Sequence, residues 1–188
     1  MEMLDYLRQF HKISDIDYEL LTENLNLKQF KKGEFIIKPG QIQRDLYFIV
    51  SGVQVSYFER ESKAHVVAFT YHPSLCAIPD SFSFQTPSKY SLLCLTDSEV
   101  VCIGYSTLQK LFDKSHEIER LFRKMTEAIL AGMINRHMEL HSLTIAERYI
   151  TFCQRSPHLL QLVPHKYIAS YLGIDSTNFS KLFNTVKF

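Results

Sequence analysis

The chain has 188 residues and a formal net charge of +1, and with 46% hydrophobic and 22% charged residues it has the composition of a globular protein rather than a disordered chain. It contains no apolar run of about 18 residues, and its start, MEMLDYLRQF, lacks the basic flank and apolar block of a secretory signal, so we predict a cytoplasmic protein without a membrane span. Its four cysteines form no CxxC pair, which excludes the usual ligand spacing of a zinc ribbon or an iron–sulfur cluster, and we predict no metal or other cofactor.

The first two thirds of the chain are dominated by short strand-like segments. After an amphipathic opening, residues 30–103 contain the β-branched and aromatic runs EFIIK, DLYFIV, VQVSYF, HVVAFTY, YSLLCL and SEVVCIG. Turn sequences separate them, and Gly33, Gly40 and Gly52 can take the positive φ that such turns need. Many short strands at this spacing predict a β-sandwich or a β-roll.

From Ser106 onward the hydrophobic period becomes helical. HEIERLFRKMTEAILAGMINRHMELHSL predicts one long helix, which at 1.5 Å per residue reaches about 38 Å for about 25 residues. That length exceeds what the face of a small roll needs, so we predict that part of the helix packs on a second copy of the chain. The predicted homodimer interface consists of Ile118, Leu121, Met125, Ile129 and Met133.

The last segment, residues 165–184, reads HKYIASYLGIDSTNFSKLFN and predicts two short helices separated by Gly173. Pro164 suits a helix start, and Asp175 or Ser176 can cap the second helix. The polar residues Ser176, Thr177, Asn178 and Lys181 are left facing outward. Residues 141–188 hold five Lys or Arg against two Asp or Glu, so this end is mildly basic.

The spacing of these twenty residues resembles the helix-turn-helix unit of DNA-binding regulators. In such a unit the second helix lies in the major groove and its first turn reaches base edges. The resemblance therefore implies DNA-binding roles for Ser176, Thr177, Asn178 and Lys181. An ordinary helical hairpin with a solvated polar face is the simpler alternative.

Residues 30–58, FKKGEFIIKPGQIQRDLYFIVSGVQVSYF, resemble the first half of the cyclic-nucleotide-binding β-roll. The order of β-roll, long helix and helix-turn-helix is similar to that of the cyclic-AMP receptor and fumarate–nitrate regulator (Crp/Fnr) family of transcription factors. The resemblance implies an α+β fold with a β-roll (jelly-roll) effector domain at 1–114, a dimerisation helix at 115–141 and a helix-turn-helix domain at 142–188. It also implies double-stranded DNA, a second copy of the chain, RNA polymerase and an unknown small-molecule effector as partners.

The segment LCAIPDSFSFQTPSKYSLL departs from the family's cyclic-AMP cassette. Ala77 and Ile78 stand where the Gly-Glu pair that holds the ribose is expected, and Ser88 and Lys89 stand in place of the phosphate-binding Arg-Ser pair. Without the bidentate arginine a phosphate loses its strongest charge-assisted hydrogen bonds. We therefore predict that cyclic AMP is not the ligand, and we assign Ile78, Ser88 and Lys89 to a pocket for another effector.

Two other functions are alternatives to a regulator. A cupin-like metalloenzyme needs a close His-x-His pair, whereas His65 and His72 are seven residues apart; His137 and His141 are four apart but lack the HExxH glutamate. No GxSxG, P-loop or GxGxxG motif is present, so we assign no catalytic residues and predict that the chain is not an enzyme. The other alternative is a ligand-sensing roll that acts through protein contacts.

Overall fold

Two short helices begin the chain, as the computed structural model shows for residues 2–186, the part of the chain that it describes. They are α1 (Met3–Arg8) and α2 (Asp15–Thr22). Ser14 starts α2 by accepting a hydrogen bond from the Asp17 backbone N–H at 3.1 Å, which satisfies one of the free donors of the first turn. Both helices pack their apolar sides on the same cluster as the later helices described below.

The following strands form two four-stranded antiparallel sheets. They are β1 (Asn26–Phe30), β2 (Phe35–Ile37), β3 (Asp45–Ser51), β4 (Val53–Arg60), β5 (Lys63–Tyr71), β6 (Leu75–Cys76), β7 (Ser91–Cys94) and β8 (Ser98–Gly104). The strand order is β1-β8-β3-β6 in one sheet and β2-β7-β4-β5 in the other. Except for the β4–β5 hairpin, strands that are consecutive in sequence lie in different sheets, which confirms the roll predicted from the strand spacing.

Gly52 makes the tight turn between β3 and β4. Its φ is +91°, and a Cβ at this position would collide with the Asp97 carbonyl and with Ser98. Only a residue without a side chain fits both conditions, so the turn that moves the chain from one sheet to the other depends on this glycine.

The interior of the roll is filled by its own side chains. Ile37, Tyr47, Ile49, Cys76, Ile78, Leu92, Val100 and Cys102 form one buried cluster between the sheets. A chain of polar contacts runs beside it: Gln54 donates to the Ser98 hydroxyl at 2.9 Å and accepts from Thr70 at 3.2 Å. Because Gln54 belongs to one sheet and Ser98 to the other, these bonds tie the two sheets together.

The roll is followed by two packed helices, α4 (Tyr105–Lys114) and α5 (His116–Ser142), while the shorter α3 (Pro79–Phe84) lies between β6 and β7. Ser115 caps α5 and also donates to the Asp17 carboxylate at 2.6 Å. The long helix predicted from the sequence is thus confirmed. None of the helices within residues 2–186 is long and apolar enough to cross a membrane.

The two halves of α5 have different surroundings. Ile118, Leu121 and Met125 are fully buried in a core with α1, α2, α4 and the β3 sheet of the same protomer. This corrects their assignment to a dimer interface, because an apolar period along a helix does not tell which body covers it. Ile129 and Met133, from the second half, are about half exposed at 47% and 55%.

The chain continues through α6 (Ile145–Arg155), α7 (Leu159–Leu162), α8 (His165–Leu172) and α9 (Ser176–Thr185). Their buried residues share one apolar cluster with β4 and β5. The Ser170 hydroxyl on α8 accepts from the Val66 N–H at 2.9 Å and donates to the Ala64 carbonyl at 2.7 Å. Because β5 is an edge strand, Ser170 satisfies backbone groups that would otherwise be unpaired, and it docks α8 on the roll.

Candidate nucleic-acid interface

The turn between α8 and α9 is held by backbone hydrogen bonds at Gly173. Gly173 takes a left-handed conformation, with φ of 62° and ψ of 39°. The Ile174 N–H donates to the Ala169 carbonyl at 2.9 Å, and the Gly173 N–H donates to the Ser170 carbonyl at 3.1 Å. This pattern is a Schellman motif, which ends α8 sharply and sets the direction of α9.

Asp175 caps the start of α9. Its carboxylate accepts from the Asn178 backbone N–H at 2.9 Å and also from the Asn178 side-chain amide. The backbone N–H of Asn178 is the main reason that the pKa of this carboxyl lies below its usual range. Asn178 is exposed, but its amide is already engaged by Asp175, so it is less available to a base edge than the sequence alone indicated.

The remaining candidate residues, Ser176, Thr177 and Lys181, all lie on the exposed part of α9. Thr177 and Lys181 are four residues apart and therefore project from the same face. On the opposite side Phe179 is fully buried, with its ring 5.7 Å from Tyr149 and 5.2 Å from His165 between centroids. Phe179 anchors the helix and leaves the Thr177 and Lys181 face open to solvent.

Arginines surround the base of the α8–α9 pair, an arrangement that the sequence analysis missed. Arg155 lies 3.1 Å and Arg136 3.7 Å from the Glu139 carboxylate, and the Arg136 guanidinium sits 4.0 Å above the Tyr171 ring. Arg148 approaches the turn, where its Nη1 would be 3.1 Å from a Cβ at residue 173. Three arginines against one glutamate leave this end positively charged. Burial lowers the pKa of the Arg136 guanidinium from its ordinary value.

The cluster could not be recognised from sequence spacing, because its members come from α5 and α6 and Arg136 and Arg155 meet at Tyr171 on α8 only in the folded chain. The Nη1 of Arg136 and the Nε of Arg148 are buried, and neither has a hydrogen-bond partner among the described residues. A buried donor without a partner is unfavourable. The positive charge here is therefore retained at a cost to stability, on the side of the molecule that carries α9.

The residues assigned to an effector pocket have different surroundings. Ile78 is buried in the roll interior, and its N–H donates to the Gln43 side chain at 2.8 Å. Ser88 is buried and bonded to the backbone of Tyr90 at 2.9 Å, whereas Lys89 is exposed. Gln43 was not predicted; it is 2% exposed and also donates to the Asp45 carbonyl at 2.9 Å.

An open recess lies next to Gln43 at the edge of the roll. It has a volume of about 240 Å³ and is lined by Ile36, Ile37, Gln41, Ile42, Gln43, Arg44, Asp45 and Tyr47. Typical small-molecule pockets measure about 300–1,000 Å³, so this recess is small for a nucleotide. Its charged groups already have partners, since Asp45 forms an ion pair with Lys28 at 2.7 Å and Arg44 donates a hydrogen bond to the neutral Gln85 amide at 2.7 Å.

The two histidines considered for a cupin-like centre lie on and directly after the edge strand β5, at the surface of the roll. His65 and His72 are both exposed, and His72 contacts the Ile49 carbonyl at 3.0 Å. Across residues 2–186, no group of three or more His, Cys, Asp and Glu side chains is placed to hold a metal ion within one chain. The four cysteines are buried free thiols, and burial raises the pKa of Cys76 to about 12.

Comparison with known proteins places this fold. Residues 27–115 match the family model of the cyclic nucleotide-binding domain. A search of curated proteins found no match to the sequence.

Several solved structures share the fold at low sequence identity. FixK2 from Bradyrhizobium japonicum is 18% identical with a TM-score of 0.74, and the match covers 85% of this chain and 83% of FixK2. A protein of Eubacterium rectale assigned to the Crp/Fnr family is 13% identical with a TM-score of 0.72, covering 92% and 82% of the two chains. CLP, a c-di-GMP-responsive global regulator of Xanthomonas campestris, is 16% identical with a TM-score of 0.68, covering 91% and 90%.

These matches cover between 85% and 92% of the chain. They agree with the order of elements on which the resemblance to regulators rested. Residues 27–115 therefore match the cyclic nucleotide-binding domain, and the chain shares its overall fold with solved regulators of the Crp/Fnr type that the sequence resembles.

Proposed function

We propose that the chain is a DNA-binding transcriptional regulator that acts as a homodimer and not as an enzyme. In this proposal residues 1–114 are the effector domain, residues 115–141 are the dimerisation helix, and residues 142–188 are the helix-turn-helix domain. Double-stranded DNA, RNA polymerase and a small-molecule effector of unknown identity are its partners. The regulators that share its fold support this reading.

The observation that carries the proposal is the geometry of α9. The Schellman turn at Gly173 and the Asp175 cap fix its start, and Phe179 buries its inner face. Thr177 and Lys181 remain exposed on one side, next to an end of the molecule with excess positive charge. A short helix held rigidly from behind, with small donors and a lysine in front, suits insertion into the major groove.

The homodimer is supported by the second half of α5. Five large apolar side chains there are about half exposed: Ile129 at 47%, Leu130 at 57%, Met133 at 55%, Ile134 at 56% and Met138 at 56%. A continuous apolar face of this kind is unusual on a monomer and marks a contact surface. Because the face lies on a helix, pairing with the same helix of a second copy covers it with one symmetric interface.

A second function, contact with protein instead of DNA, is favoured by Asp175. Its carboxylate is exposed at the α9 start, where a DNA phosphate would approach, and like charges repel there. In that case the exposed face of α9 would bind another polypeptide, and the chain would show no preference among DNA sequences.

The deciding experiment is selection of bound sequences from a random double-stranded DNA pool by the full chain. We expect an enriched inverted repeat whose half-sites are about 34 Å, or one helical turn, apart, because a two-fold dimer presents two α9 helices. Recovery of sequences no different from the starting pool would reject DNA reading and favour the protein-contact alternative.

A further inference from the structure

Two histidines lie within the exposed apolar face of α5. His137 and His141 are four residues apart, both are exposed, and their ring centroids are 4.4 Å from each other. At about 100° per residue, His137 falls between Met133 and Ile134 around the helix, and His141 lies next to Ile134. The imidazoles therefore project from the same side as the apolar side chains.

The apolar face has the spacing of a helix that pairs with its own copy. Leu130, Met133, His137 and Leu140 follow one another at intervals of three, four and three residues, which is the a and d pattern of a parallel coiled coil. Ile129 and Ile134 then occupy flanking positions five residues apart, which meet across a parallel, in-register pair. Apolar residues at both flanking positions match each other, so the surface is complementary to itself.

This register gives His137 a position that faces its equivalent in the second copy. Residues at a positions lie opposite each other across the seam of a parallel pair, and His141 is one turn further along the same side. The two chains would bring four imidazoles together, whereas one chain supplies two. Arg136 is adjacent in sequence and takes the same flanking position as Ile129, but its guanidinium is engaged by Glu139 and by the Tyr171 ring of its own chain.

We propose that His137 and His141 from both chains form a metal site across the dimer seam, of the kind that binds Zn²⁺ or a similar imidazole-preferring ion. Two histidines at i and i+4 on one helix face have the spacing with which helices bind zinc. Four imidazole nitrogens meet the tetrahedral preference of Zn²⁺, and imidazole also suits Cu²⁺ and Ni²⁺. The site rests on the proposed homodimer, since it is incomplete in one chain.

Such a site couples metal binding to association. A metal that binds the dimer and not the monomer shifts the equilibrium towards the dimer by mass action. At Zn²⁺ concentrations of about ten times the site's dissociation constant, the apparent dimer dissociation constant should fall by about tenfold. The proposed regulator needs the two α9 helices of a dimer to bind DNA. The metal would therefore set the amount of protein that is able to bind DNA.

The test uses the full chain, stripped of metal with a chelator, in sedimentation velocity over a concentration series with and without Zn²⁺, together with calorimetric titration. We expect one Zn²⁺ per two chains and the tenfold tightening of association. The variants His137→Gln and His141→Gln should abolish both effects. His116→Gln is the matched control, an exposed histidine about 32 Å away on the same helix that should respond like the wild type.

Each variant is compared with itself with and without the metal, so any effect of the substitution on the metal-free dimer is removed. A wild-type dimer that binds no Zn²⁺, or that binds one ion per chain without tighter association, overturns the shared site and leaves the regulator standing. A wild-type chain that stays monomeric with and without Zn²⁺ overturns both the site and the homodimer. DNA selection then tests the regulator separately.

Discussion

At the scale of single residues, the candidate interface depends on which side chains of α9 are free. Asn178 is bound to Asp175 and Ser176 lies at the first turn, with its carbonyl accepting from the Ser180 hydroxyl at 2.9 Å. Lys181 is the long cationic side chain on the exposed face. Its exposure, and not its position in the sequence, makes it the most informative residue to change.

Lys181→Ala separates base reading from phosphate binding. If Lys181 contacts a guanine edge, we expect a loss of about 1–3 kcal/mol and relaxed preference at one base position of each half-site. If it contacts phosphate, binding should weaken on all sequences and the slope of log K against log salt should fall by about one. Binding isotherms at several salt concentrations measure both. Lys110→Ala, an exposed lysine on α4, is the control, and an unchanged Lys181→Ala protein would remove this residue from the interface.

Gly173→Ala tests the turn. The left-handed conformation is unfavourable for alanine, and the new Cβ would lie 3.1 Å from Arg148, so we expect the free energy of unfolding to fall by about 1–2 kcal/mol. DNA affinity should fall as well, because the direction of α9 is set here.

Gly132→Ala is the matched control for that substitution. It lies inside α5 with nothing within 4 Å of its added Cβ, and it should raise the free energy of unfolding by about 0.5–1 kcal/mol. Chemical denaturation measures both variants. Equal effects of the two substitutions would contradict a special role for the turn.

At the scale of elements, the two halves of the continuous helix α5 have different surroundings. Its first half completes the core of its own protomer, and its second half exposes apolar side chains. The two halves should therefore respond differently to substitution.

Met125→Ala should lower the free energy of unfolding by about 2–5 kcal/mol through a core cavity, with little change in association. Met133→Lys should instead weaken association, with little change in the free energy of unfolding of the protomer. A buried unpaired ammonium costs several kcal/mol, so the dimer dissociation constant should rise more than about tenfold while the protomer stays folded. Denaturation and sedimentation separate the two effects. Unchanged association in Met133→Lys would place the dimer contact elsewhere.

The start of α5 is also tied to the opening helices by ionisable groups. Asp17 accepts from Ser115 at 2.6 Å, and Glu117 lies 2.6 Å from His11. The hydrogen bond from Ser115 lowers the pKa of Asp17, and the one from His11 lowers the pKa of Glu117. A carboxyl whose pKa is lowered in the folded state stabilises that state at pH values above its pKa in the unfolded chain. This stabilisation is lost as the pH falls through the carboxyl's pKa in the folded state.

We therefore expect the free energy of unfolding to decline on acidification below pH of about 4, where unfolded carboxyls take up protons. Asp17→Asn should show a shallower decline than the wild type over this range. The exposed Asp5→Asn variant serves as the control. Denaturation at a series of pH values measures the slopes, and identical slopes for Asp17→Asn and the wild type would show that the Ser115 contact does not contribute.

At the scale of the whole molecule, the roll and the C-terminal helices are in direct contact. Ser170 bonds α8 to the β5 edge, and one apolar cluster includes residues from β4, β5, α6, α8 and α9. A change in the roll that moves β5 would therefore reach α8 directly. In the proposed regulator, an effector that shifts β5 would act on α8 through this contact.

Cyclic AMP is not expected to be that effector. Ile78 is packed in the roll interior, the Ser88 hydroxyl is already bonded, and the recess beside Gln43 measures about 240 Å³. Calorimetric titration of the full chain with cyclic AMP should give no sub-micromolar binding, and DNA affinity should be the same with and without the nucleotide. Sub-micromolar binding would show that the roll opens to admit a nucleotide and would contradict the filled interior.

The sequence by itself determined the elements and their order. Strand runs bounded by Gly33, Gly40 and Gly52, a 27-residue helix and the break at Gly173 all follow from local rules of period, turn geometry and capping, because those rules act within a few residues. Tertiary structure alone decided what covers each apolar face and which polar groups meet. Met125 and Met133 belong to the same sequence stripe, yet one is in the core and the other is exposed. Gln43 accepts a hydrogen bond from Ile78, and Arg136, Arg148 and Arg155 converge near α8, since burial and pairing depend on residues distant in the chain that no local spacing records.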